Sequence, residues 1–126
     1  MKNLFLSSLF LFTVIFSIPA ESQEKDLTRN NYVVLTNKVP QITPIILTAE
    51  ALAEEDGKNF GDFQIIICGS TVKNLTEEEK MKPYISKAEK AGVKIVVCGF
   101  SLNKFGIKTE ELPKEFKVVE NGILYD

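Results

Sequence analysis

Two six-residue runs, Phe63-Gln64-Ile65-Ile66-Ile67-Cys68 and Val93-Lys94-Ile95-Val96-Val97-Cys98, are apolar almost throughout and rich in β-branched residues. Such side chains are stiff at χ1 and suit the pleat of a strand. A strand with one wet face alternates apolar and polar residues. These two do not, so both of their faces are buried, as in a parallel sheet. Tyr32-Val33-Val34-Leu35-Thr36 is a shorter run of the same kind. Helical stripes lie between the runs. Ile42, Ile45, Ile46, Ala49, Leu52 and Ala53 recur three and four apart, which predicts a helix over 41–55 with Pro40 and Pro44 at its start and Gly57 past its end. Met81, Tyr84, Ile85 and Ala88 make a second stripe, ended by Gly92. Thr76 with Glu79 reads as a capping box, and Pro83 predicts a short turn and a break before the main helix. Beyond Cys98 a short helix is expected over 102–105, then a polar stretch through Pro113 and a fourth strand over 116–119. Asn121-Gly122 signals either a hairpin or the start of another crossover.

Parallel strands need crossovers, and helices supply them. The expected fold is therefore α/β: a three-layer α/β/α sandwich with a mostly parallel sheet of four to five strands and helices on both faces.

The first 20 residues belong to a different class of sequence. Lys2 precedes an apolar stretch over 4–18 broken only by Ser and Thr, and small residues follow at Ala20 and Ser22. That is the plan of a secretory signal peptide over 1–20, with an uncleaved membrane anchor as the alternative. Residues 21–31 read as a polar linker and 32–126 as a single domain, secreted or periplasmic and free of the membrane after cleavage.

Composition removes several chemistries. The chain has no His, two Cys, and Arg29 as its one arginine. Ser-His-Asp and Cys-His catalysis are excluded, as are a His metal ligand and a Cys/His zinc site. A net charge of −2 argues against a nucleic-acid partner. No C-x-x-C and no G-x-G-x-x-G occur, so neither a thioredoxin motif nor a dinucleotide loop is present. Asn74-Leu75-Thr76 matches a glycosylation sequon, but the Thr reads better as a cap. Lys80, Lys82, Lys87, Lys90 and Lys94 read as a solvated face.

Ligands of open parallel sheets bind at the carboxyl ends of the strands, and both cysteines fall there. Cys98 precedes Gly99-Phe100-Ser101 and an imminent helix, whose unpaired amides favour an anion. Gly99 is expected to let the backbone curl around the sulfur. Cys98 is thus the candidate reactive thiol, with a pKa lowered below that of free Cys, and Gly99, Phe100 and Ser101 are candidate binding residues. Cys68, followed by a longer polar stretch, is a possible secondary thiol. Plain core packing remains open for both. So does a disulfide between them, although strand-end cysteines of a parallel sheet rarely have bridge geometry.

The stretch Gly92-Val93-Lys94-Ile95-Val96-Val97-Cys98-Gly99-Phe100-Ser101-Leu102, followed by Lys104-Phe105-Gly106-Ile107, resembles the DsrE/DsrF-like family (the TusD/YchN-like fold). Val118-Val119-Glu120-Asn121-Gly122 is similar to the family's next strand and turn. The resemblance runs from Tyr32 to the end, and Cys-Gly-x-Ser-Leu is its most specific piece. It implies the three-layer sandwich and assembly as homotrimers or homohexamers. It also implies that sulfur is carried as a persulfide on Cys98, passed between donor and acceptor proteins without metal or organic cofactor. Cys68 matches no family motif. The chain reads as an exported member, a sulfur-relay or thiol-redox protein. The alternative is a non-catalytic oligomeric module whose loops after the second and third strands hold a small anion.

Overall fold

The apolar runs form the strands expected of them. The computed structural model describes residues 28–125, so the signal peptide and most of the linker lie outside the described residues. β1 (Asn30–Thr36), β2 (Phe60–Ile67), β3 (Val93–Cys98) and β4 (Lys117–Val119) make one sheet in the order β1-β2-β3-β4, every neighbouring pair parallel. β1 and β2 start two and three residues earlier than their apolar runs, because the ladder extends through Asn30↔Phe60.

The crossover helices are α1 (Ile42–Asp56) and α2 (Glu78–Ala91), and α3 (Gly99–Lys104) follows β3. A strand order that never reverses sends right-handed crossovers to one side of the sheet. Phe63, Ile65 and Ile67 of β2 and Val93, Ile95 and Val97 of β3 face that side. They pack there against Ile42, Ile46 and Ala49 of α1 and Met81, Ile85 and Ala88 of α2. Burying each large side chain contributes roughly 1.5–3 kcal/mol. The intervening residues point to the second face. Register sets Val33, Gln64 and Lys94 in one row and Leu35, Ile66 and Val96 in the next. Among the described residues, the layer on this second face is the tail that follows β4. Gly122 lies on Ile66, which is 2% exposed, while Val33 and Leu35 stay 57% and 55% exposed.

Four local expectations are corrected. The Thr76 hydroxyl donates to the Lys73 carbonyl instead of capping α2, whose N-cap is Glu77. Pro83 sits inside an unbroken α2. It is exposed, so the carbonyl that loses its amide partner is free to bond water. The stretch after Cys68 is no open polar loop. It coils from Ser70 to Thr76 as a 3-10 helix, burying Thr71, Val72 and Leu75. Asn121-Gly122 makes neither a hairpin nor a crossover among the described residues; the Asn121 side chain accepts from the Ile123 amide in a local turn.

Candidate functional site

Cys98 ends β3 and is also the N-cap of α3, so the helix begins at once rather than a few residues on. At 4% exposure its thiol is buried. Its sulfur accepts a hydrogen bond from the Gly122 amide at 3.3 Å. No helix amide reaches it in capping geometry, but the amide and hydroxyl of Ser101 are close enough to favour the anion. The Ser101 hydroxyl is itself oriented. Its oxygen accepts from the Gly69 amide at 2.8 Å, which leaves its proton free to donate. The Cys68 thiol adds a further donor.

These donors oppose desolvation. Burial by itself raises the Cys98 pKa, and the dipoles of Gly122, Ser101 and Cys68 outweigh it, holding the thiol below its ordinary value. Cys68 moves the other way. Burial first, then its neighbour Cys98, pushes it up to about 11. The two are free cysteines whose pKa values are pushed in opposite directions, Cys98 down and Cys68 up.

The tail is held by Gly99 and Phe100, and this is where the structure departs from the expected role of Gly99. A β-carbon on Gly99 would lie 2.8 Å from the Val119 carbonyl oxygen and 3.1 Å from that of Glu120. The Phe100 amide donates to the Glu120 carbonyl at 3.0 Å. Both residues therefore grip the tail backbone rather than the sulfur, and the Phe100 ring is exposed. Gly122 completes the arrangement. A β-carbon there would sit 2.7 Å from Ile66 Cγ2, 3.1 Å from Cys68 Sγ and 3.1 Å from Cys98 Cβ. Only a residue without a side chain lets the amide reach the sulfur.

Solvent approaches from the side of Cys68. A cavity of about 270 Å³, lined by Leu35, Thr36, Asn37, Gln41 and Cys68, opens at the carboxyl ends of β1 and β2. The larger cleft between the starts of α1 and α2 contains neither thiol. The lysine face is solvated: Lys80 and Lys82 pair with Glu77 and Glu79, and Lys94 pairs with Asp62 at 3.2 Å.

Sequence reasoning named Cys98 and Ser101 and left a disulfide between the cysteines open, but it missed Gly122 and Gly69. One signal was available. Laying the two apolar runs residue on residue sets Gln64 opposite Lys94 and Ile67 opposite Val97, which is the register observed, and carries Cys68 alongside Cys98 one step further on.

A four-stranded parallel sheet with paired thiols at the carboxyl ends of its two central strands defines an α/β thiol protein. The chain belongs to the DsrE/DsrF-like family, whose model matches residues 14–126. Its fold is similar to that of a protein of unknown function from Methanobacterium thermoautotrophicum, with a TM-score of 0.57 at 17% identity over 75% of this chain and 84% of that one. A conserved protein of unknown function from Bacteroides thetaiotaomicron is similar as well, with a TM-score of 0.52 at 17% identity over 71% and 78% of the two chains. No curated protein matches at a significant level.

Proposed function

We propose that this protein is a sulfur carrier that holds sulfane sulfur as a persulfide on Cys98. The observation that carries the proposal is the buried Cys98 sulfur accepting from the Gly122 amide at 3.3 Å, with Ser101 and Cys68 beside it helping to hold its pKa below the ordinary value. A thiolate stabilised in this way attacks the sulfane sulfur of a donor, the donor's thiolate leaves, and Cys98 keeps the outer sulfur for an acceptor thiol. Membership of the DsrE/DsrF-like family supports the same chemistry. The rival anion-binding module has less to work with, because the amides of Gly69, Phe100 and Gly122 are already bonded within the chain.

Two companions of this proposal come from the sequence. Export through a signal peptide over 1–20 makes the protein secreted or periplasmic, which N-terminal sequencing of the protein isolated from cells tests. Assembly as a homotrimer or homohexamer uses the thinly covered second face of the sheet.

The experiment for Cys98 is intact mass after incubation with a persulfide or thiosulfate donor. A gain of one sulfur atom that disappears in Cys98→Ala and survives in Cys68→Ala is expected. No gain in either the wild type or Cys68→Ala overturns the proposal.

A further inference from the structure

A persulfide on Cys98 would not be alone. Ile67 and Val97 are paired across β2 and β3, so the next residues along these parallel strands, Cys68 and Cys98, are neighbours. Both lie two positions beyond Ile66 and Val96, and side chains two apart share a face. The Gly122 amide donates to the Cys98 sulfur at 3.3 Å, and a β-carbon placed on Gly122 would lie 3.1 Å from the Cys68 sulfur and 3.1 Å from the Cys98 β-carbon, so the tail backbone lies against both residues. The open cavity ends on Cys68, whereas Cys98 is buried behind it. A small sulfur species leaving the site therefore passes Cys68.

We infer that Cys68 is a resolving thiol: it attacks the inner sulfur of a Cys98 persulfide, closes a Cys68–Cys98 disulfide and expels the outer sulfur as sulfide through the cavity beside β1. The inference rests on the persulfide reading of Cys98. The step balances without an added oxidant. The bond between Cys98 Sγ and Cys68 Sγ forms, and the bond between Cys98 Sγ and the outer sulfur breaks. The Cys68 proton leaves with the outer sulfur as HS⁻. The sulfane sulfur gains two electrons and each cysteine sulfur gives up one. A dithiol reductant then returns the pair to two thiols, supplying two electrons and two protons.

Cys68 suits this role better than that of first acceptor. Burial first, and then Cys98 beside it, holds the Cys68 thiol up to about 11, so Cys68 carries its proton to the site and yields it to the departing sulfide as the S–S bond closes. A second thiol so close also limits how long sulfur stays on Cys98. The protein then delivers sulfide when no acceptor is docked, and persulfide sulfur when an acceptor arrives first.

The test uses the reduced full chain, loaded with glutathione persulfide, freed of excess donor by gel filtration and followed by intact mass and sulfide release. The wild type is expected to gain one sulfur and then lose it, ending two hydrogens lighter than the dithiol, with a Cys68–Cys98 cross-linked peptide in a non-reducing digest. In Cys68→Ser and Cys68→Ala the sulfur should persist, with sulfide release slowed roughly tenfold or more. A wild type that keeps its sulfur as long as these variants, with no cross-linked peptide, overturns the resolving role and leaves the carrier intact. Failure of every variant to take up sulfur overturns the carrier reading and this inference with it.

Discussion

A buried thiolate survives only where fixed dipoles replace the water it has lost. At Cys98 those dipoles come from three separate parts of the chain: α3, the tail and the end of β2. Removing one has a readable consequence. Ultraviolet thiolate absorbance followed against pH should show two steps, Cys98 below the ordinary thiol range and Cys68 near about 11. Ser101→Ala should move the lower step upward and leave the Gly69 amide unpaired, at a cost of about 1–3 kcal/mol. A single step at the ordinary thiol value would remove the electrostatic basis of the site. Stability carries the same information. The Cys68 pKa is raised in the fold, so its contribution is complete below the ordinary thiol pKa and is lost as pH climbs toward about 11. Cys98 is lowered, so its contribution is present above the ordinary value and fades as pH falls through the folded one. The urea midpoint of the wild type should fall relative to that of Cys68→Ser as pH climbs toward about 11.

At the scale of elements, what could be read early was what local pattern determines. The apolar runs of β2 and β3 and the stripe of α1 sit where their periods put them, because burial on one or both faces leaves a direct mark on residue order. The tail left no such mark. Gly122 matters through a contact with Cys98, 24 positions back along the chain, and a turn signal alone does not say what the turn will lie against. Gly122→Ala tests it. The new methyl meets Ile66 and Cys68, so the tail should lift, with a loss of roughly 1–3 kcal/mol. The Cys98 thiol should also lose its amide donor and move to a higher pKa. An unchanged thiol titration in a folded Gly122→Ala variant would mean that the tail does not govern the sulfur. Pro83 was misread for a related reason: its cost depends on which side of the helix it occupies. On the exposed side α2 continues through it at the expense of one backbone bond. Pro83→Ala should therefore raise stability by roughly 1–3 kcal/mol in urea titration while leaving sulfur loading untouched.

The whole molecule has a thick side and a thin one. Two long helices cover the first face of the sheet, and the tail covers part of the second. Val33 and Leu35 remain more than half exposed there, and the buried Gln64 Oε1 in the same row as Val33 has no hydrogen-bond partner among the described residues. Apolar residues in water beside an acceptor in want of a donor describe a surface made to be covered. Among the described residues β1 pairs with β2 alone, so its outer edge also offers backbone groups to a neighbour. A second copy of the chain would satisfy all three conditions, in keeping with the proposed trimer or hexamer. Val33→Lys discriminates, since Val33 lines neither the cavity beside Cys68 nor the helical core. Burying its ammonium in an interface would be costly, whereas on a free surface it would cost almost nothing. Sedimentation velocity should find the wild type as a closed assembly and Val33→Lys as a monomer, with circular dichroism and sulfur loading on Cys98 unchanged. A wild type that sediments as a monomer would mean that this face stays open to solvent and that the sulfur site is complete within one chain.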